Sequence, residues 1–248
     1  CIEVTLVLFY VYGKKLPLAC GPKGMFGWHK AFITQFLETS APVIANEFMW
    51  GLGTTMYSLA YGRMSDDAVA AITIATTIQD IAVVLFQGLS AATAVILGNE
   101  LGAGKLKRAE KYATQFFILQ FLVTVTADIL LVLGRWKIIG IYNITPQVAQ
   151  DVNRCLLVFA LYMPAKMFNY VNVVGVLRSG GDTKMCLFLD TSGVWFLGVP
   201  LAFLGAFLWN LPIYGVYALV LTEEIYKAIL GYLRYRQKKW LKNLAVQV

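Results

Sequence analysis

Glu47, Asp80 and Lys166 are the residues best placed to do chemistry, because each lies well inside a long apolar run. A charged side chain at membrane depth costs roughly 2.5–3.5 kcal/mol on insertion scales, so each is a candidate ion path, substrate contact or buried pair. Glu47 is followed by Gly51, Thr54 and Ser58 at i+4, i+7 and i+11, a small polar helical face along which water or substrate reaches the carboxylate. Such a buried acid loads and releases a proton, coordinates Na+ with neighbouring oxygens, or pairs with another helix and never titrates. Lys166 is flanked by Tyr162, Asn169, Tyr170 and Asn172. An ammonium at mid-depth needs a partner, and Glu47 is the first to name. Asp80 shares a polar stripe with Thr73, Thr76 and Gln87, which helix packing through hydrogen bonds explains equally well. For Asp128 and Asp190, reaching the membrane interface is the cheaper reading, and for Glu223 and Glu224 it is neutralisation by Lys227 at i+4 and i+3. Trp50, Tyr57, Tyr162 and Tyr170, with Asn169 beside them, could face cargo and stack on a flat cation, whereas Trp136, Trp209 and Trp240 at run ends suit interfacial anchoring.

The elements that must hold these residues are membrane helices. Of 248 residues 58% are hydrophobic and 14% charged, against about 25% charged in ordinary soluble domains. Six apolar runs cover 42–61, 68–97, 112–133, 155–177, 185–208 and 211–233. They show no strand period, and in lipid only helices and closed barrels satisfy the backbone, so the class is all-α integral membrane. The stretch 1–12 is too short to span and contains Glu3, so it reads as the end of a truncated helix. Residues 13–39, rich in Lys, Gly and Pro, read as a linker with a short helix near 29–39. Residues 40–235 form the spanning lobe and 236–248 a basic tail. The missing initiator Met suggests that the natural N-terminus lies further upstream.

Positive charge sorts the connections. Lys14, Lys15, Lys23 and Lys30 precede the first span; Lys105, Lys107, Arg108 and Lys111 join the second to the third. Arg178 and Lys184 join the fourth to the fifth, and Arg234, Arg236, Lys238, Lys239 and Lys242 follow the last. The opposite connections hold only Arg63, Arg135 and Lys137. This asymmetry puts the linker, both Gly-containing turns and the C-terminus in the cytoplasm of a multi-pass cell-membrane protein. The net charge of +7 is thus a matter of topology and lipid, and nucleic acid is not an expected partner. Cys1, Cys20, Cys155 and Cys186 have no CxxC spacing and the one histidine is His29, so neither a metal nor a cofactor is expected. Asn143-Ile144-Thr145 matches a glycosylation sequon, a weak signal ahead of Pro146.

Gly98-Asn99-Glu100-Leu101-Gly102-Ala103-Gly104-Lys105 and Arg178-Ser179-Gly180-Gly181-Asp182-Thr183-Lys184 are alike in character. Both follow a membrane helix rather than a strand, which argues for tight turns at positive φ and against a phosphate cradle. Together with the 107–112 segment, Pro164 followed by 177–184, and Val199-Pro200-Leu201, they resemble the C-terminal half of a MATE transporter, the multidrug and toxic compound extrusion family. The resemblance runs from the linker to the tail. It implies two six-helix lobes, with helices seven to twelve here and the N-terminal lobe outside this chain. It also implies export of amphiphilic or cationic organic compounds against inward H+ or Na+. In the family the acid of helix seven lies about one turn deeper than Glu47, where this chain has Trp50, and Na+-using members add an Asp on helix ten that 155–177 lacks.

The implied function is therefore secondary multidrug antiport by alternating access, with Glu47, Asp80 and Lys166 coupling ions and Trp50, Tyr57, Tyr162, Asn169 and Tyr170 meeting substrate. A lipid-linked oligosaccharide flippase of the same superfamily is the near alternative, favoured by a cavity rich in Arg. An intramembrane aspartyl protease, prompted by Asp80, Asp190 and Gly180-Gly181-Asp182, is the distant one, because its two aspartates must face each other at one depth.

Overall fold

The computed structural model describes residues 2–14, 21 and 29–242. The expectations at Cys1, Lys15, Cys20, Lys23 and most of the linker, and at the last six residues of the tail, lie outside the described residues. The chain divides into two units, Cys1–Ala41 and Pro42–Val248. The first unit holds α1 (Ile2–Gly13), apolar and with Val4, Leu6 and Phe9 exposed, and the start of α2 (Lys30–Gly62). Helix α2 carries Pro42 inside it, so the short helix and the first span expected separately share one helix.

The second unit continues α2 and adds α3 (Asp66–Gly102), α4 (Leu106–Ile139), α5 (Pro146–Leu177), α6 (Thr183–Leu208) and α7 (Ile213–Arg236). The described residues contain no strand. Helices α3 to α6 are long and apolar enough to cross a membrane by length and composition. The apolar runs fall one for one on α2 to α7, but the helices outlast them, since charged residues in a first turn end an apolar window without ending a helix. Thus α5 starts at Pro146, nine residues before its run, because Asp151 and Arg154 sit in its early turns. Thr145 caps it, the hydroxyl accepting from the Val148 amide at 3.3 Å, so the sequon threonine serves as a helix cap. Ser65 caps α3 in the same way, followed by Asp66 and Asp67 at the positive end of the helix dipole.

Two apolar clusters hold the bundle. The larger joins α2 through α7 around Phe86, Phe159, Met163 and Met167. The smaller joins the end of α3, the start of α4, the end of α5 and the start of α6 with Trp240. Both Gly-containing turns lie at this end, and in each a glycine takes positive φ, Gly104 at 72° and Gly181 at 73°, as the turn reading requires. Trp136 and Trp209 are half exposed, as interfacial anchors are. Trp240 departs from that expectation: it is 0% exposed and stacks on Tyr235 with centroids 5.7 Å apart. Its position after a run of basic residues resembles that of an anchor, but the chain folds back after α7 and seats the ring in the core.

Asp182 ties this end together. Arg234 on α7 donates to it through Nε at 2.6 Å and Nη2 at 2.8 Å, a bidentate fork on a buried carboxylate. Arg234→Ala leaves that charge unmatched and should cost on the order of 2 kcal/mol. The expected readout is a lower melting temperature in detergent, partly restored when Asp182→Asn is added; a variant that melts like the parent contradicts this role for the clasp.

Candidate functional site

A cavity of about 740 Å3 opens between α2, α3, α5, α6 and α7. All three expected ion-coupling residues, Glu47, Asp80 and Lys166, line it, as do Trp50, Tyr57, Asn169 and Tyr170. Tyr162 does not; it packs against the larger apolar cluster, because its position on α5 turns it into the core. Glu47, Trp50, Thr54, Tyr57, Ser58 and Tyr61 form a continuous α2 face toward the cavity, which takes in Glu47, Thr54 and Ser58 of the stripe read from spacing but not Gly51. Of the three ion-coupling candidates, Glu47 and Asp80 are exposed and Lys166 is half-buried.

The expected pair of Glu47 and Lys166 does not form. Glu47 pairs with Arg178, at the end of α5, at 2.9 Å. Lys166 faces Glu224 of α7 at 3.9 Å. Depth and opposite sign suggested the pair, but the helix nearest to each residue decides its partner.

The densest part of the site lies on α7, where Glu223, Glu224 and Lys227 are each more than nine-tenths buried. Lys227 Nζ lies 3.2 Å from Glu223 Oε1 and 3.3 Å from Glu224 Oε2, so local neutralisation holds, but it is only part of the arrangement. Asn169 Nδ2 donates to both Glu224 Oε2 and the Glu224 carbonyl, each at 2.8 Å. The Tyr57 hydroxyl donates to Glu223 Oε2 at 2.6 Å, joining α2 to α7. On α6, Asp190 accepts from Asn46 Nδ2 of α2 at 2.8 Å, so it points into the cavity instead of reaching the interface. Asn46, Arg178, Asp190, Glu223, Glu224 and Lys227 were not expected in the site. The available signal was the surplus of acids within the apolar runs, Glu47, Asp80, Asp128, Asp190, Glu223 and Glu224 against the bases Lys166 and Lys227.

Helix α5 brings its residues here through an irregularity. From Tyr170 to Leu177 the backbone widens to i→i+5 bonding, with the Arg178 amide bonded to the Val173 carbonyl at 3.1 Å. Ser90 of α3 donates to the Tyr170 carbonyl at 2.8 Å where the wide segment begins. On α6, Gly198 allows a close approach: a Cβ there would overlap the Tyr57 hydroxyl and meet Glu223 Oε2 at 2.6 Å. Gly198→Ala and Tyr57→Phe should therefore each break the same bond, at about 1.5–3 kcal/mol for a hydrogen bond to a charged group. Combined, they should destabilise the purified protein by less than the sum of the two. Additive losses of melting temperature would show that Gly198 acts elsewhere.

The model of the family described as MatE matches residues 42–204. Multidrug and toxin extrusion protein 1 of Homo sapiens is 25% identical over 247 residues, 96% of this chain and 42% of its own length. The uncharacterized transporter YisQ of Bacillus subtilis (strain 168) is 18% identical over 238 residues, covering 96% of this chain and 52% of its own. The chain thus spans about half the length of these relatives. Among solved structures, a crystal structure of MATE in the straight conformation aligns at a TM-score of 0.83 and 14% identity over 96% of this chain and 53% of the other. A MOP superfamily transporter from Pyrococcus furiosus, reported to have a binding pocket of reversed polarity, aligns at 0.76 and 16% identity over 82% of this chain and 45% of the other.

Proposed function

The chain belongs to the MatE family, a family of multi-pass membrane transporters rather than enzymes, and from this we propose that it supplies the C-terminal lobe of a secondary multidrug exporter. In this reading the lobe exchanges amphiphilic or cationic organic compounds for an inward cation, H+ or Na+, by alternating access. An N-terminal lobe of the same polypeptide and the surrounding lipid complete it. Residues 40–235 form the lobe, preceded by the linker 13–39, and the basic tail faces the cytoplasm of the cell in which the protein resides.

One observation carries this reading: the cavity holds more carboxylates than cations and has aromatic faces beside them. Glu47, Asp80, Asp190, Glu223 and Glu224 face Lys166, Arg178 and Lys227, with Trp50, Tyr57 and Tyr170 on the walls. An excess of negative charge in a low-dielectric cleft concentrates cations, and aromatic faces add cation–π attraction. The flippase alternative calls for a cavity rich in Arg, and Arg178, already paired with Glu47, is the arginine of this lining. The protease alternative loses Asp182, which Arg234 clasps at the bundle end.

The test is efflux of a cationic dye by the complete protein in proteoliposomes, driven in turn by pH and Na+ gradients. Glu47→Gln releases Arg178 and should slow efflux about tenfold or more, the equivalent of about 1.4 kcal/mol. Unchanged efflux removes Glu47 from the coupling, and a wild-type protein that moves no dye under either gradient removes the exporter reading.

A further inference from the structure

Setting aside the exposed Asp80, four carboxylates, among them Glu47 with its side chain 56% exposed, share the cavity with three cations, and their pairing is uneven. Lys227 serves Glu223 and Glu224, Lys166 serves Glu224, and Arg178 serves Glu47. Asp190 is the carboxylate left over. Its donor among the described residues is the neutral amide of Asn46, at 2.8 Å. Lys227 and Arg178 act on it from beyond bridging distance, so its ionised form is the least well matched of the cluster, and protonation is the cheapest relief.

Asn46 is suited to both forms of its neighbour. Its side chain is buried, with 3% exposed, and while Nδ2 donates to Asp190, Oδ1 has no partner among the described residues. An ionised carboxylate needs a donor and a protonated one needs an acceptor; half a turn of the amide plane exchanges one for the other. An orphaned acceptor beside the unmatched carboxylate is what a site that alternates between the two forms requires. A metal ion fits less well. It would need a shell of oxygens, and the ammonium of Lys227 already holds the position between Glu223 and Glu224 that such an ion would take.

We propose that Asp190 is the proton-binding carboxylate of this lobe and that the Asn46 amide reads its protonation state and passes it to α2. The inference rests on the exporter reading above for its consequence, but not for its chemistry. The groups facing Asp190 are Asn46 of α2 and Arg178 of α5, itself paired with Glu47. Cys186 of its own helix, and Glu224 and Lys227 of α7, complete the set. In this arrangement, loading a proton on Asp190 removes the carboxylate charge that has no bridge of its own and reverses the direction of its hydrogen bond to α2. The adjacent Glu47–Arg178 bridge joins the same part of α2 to α5, so a shift of α2 alters both contacts together.

The experiment uses the complete protein, purified in detergent for infrared difference spectroscopy and reconstituted for dye efflux at several pH values. Acidification of the wild type should produce a carboxylic-acid C=O band that is missing in Asp190→Asn, with the efflux of that variant made insensitive to pH. Asp190→Glu should restore the band at a displaced midpoint. Asn46→Ala, which removes the donor from the ionised form, should move the midpoint toward alkaline pH by about one unit, a tenfold gain in proton affinity. If Asp190→Asn fails to fold, Asp190→Glu and Asn46→Ala still decide, because a merely structural role predicts no displaced midpoint. A band and pH response that persist unaltered in all three variants overturn the inference. A wild type that shows the Asp190 band but moves no dye leaves the proton site standing and overturns the exporter reading instead.

Discussion

Everything in the second unit is arranged around the cost of ionised groups inside an apolar bundle. Glu223, Glu224 and Lys227 on two turns of α7 are almost wholly buried, and neither acid is satisfied by its own helix alone. Lys166 and Asn169, three residues apart on α5, reach Glu224 from one side, and Tyr57 of α2 reaches Glu223 from another. A buried ion pair with incomplete partners costs several kcal/mol, so each helix is held to the position from which its donor reaches. The apolar clusters supply most of the burial. The polar contacts determine how α2, α5 and α7 are rotated within it.

The wide turn of α5 shows how backbone geometry serves this requirement. In a regular helix each residue advances about 100°, so Lys166 and Arg178, twelve positions apart, would point roughly 120° away from each other. Spreading the stretch Tyr170–Leu177 over i→i+5 bonding, about 4.4 residues per turn, brings the two to within roughly 25°. Both therefore line one cavity and take different acids on different helices. The Ser90 hydroxyl, donating to the Tyr170 carbonyl, supports the backbone where the regular ladder gives way.

The same geometry explains what the sequence disclosed and what it withheld. Apolar runs, turn glycines and helical spacing are local properties, and they located α2 to α7, the two positive-φ turns and most of the polar face of α2. The phase of α5 was not legible, because regular periodicity misplaces everything beyond Tyr170, Arg178 included. Partner choice was not legible either. Glu47 and Lys166 are each unneutralised on their own helix, and only the packing of α5 against α7 shows that Lys166 belongs to Glu224. Trp240 was misread for a related reason: a reversal of the chain after Arg236, with Lys238 at φ 56°, carries an apparent anchor back into the core.

The balance of charge in the cavity also constrains how an ion and a cationic cargo could share it. Among the cavity residues Glu47, Trp50 and Asp80 are exposed, while the α7 cluster is buried and Asp190 half-buried. A cation at the outer groups feels the negative excess of the inner ones through a low-dielectric medium, where screening is weak. In the proposed exporter, a proton taken up inside would cancel part of that excess and weaken the hold on cargo outside, without the two touching. Such competition through the field requires only that the inner cluster carry about one unit of unmatched charge, because a larger excess would keep its attraction after one proton and a neutral cluster would have none to lose. Asp190, which has no salt bridge among the described residues, supplies that unit.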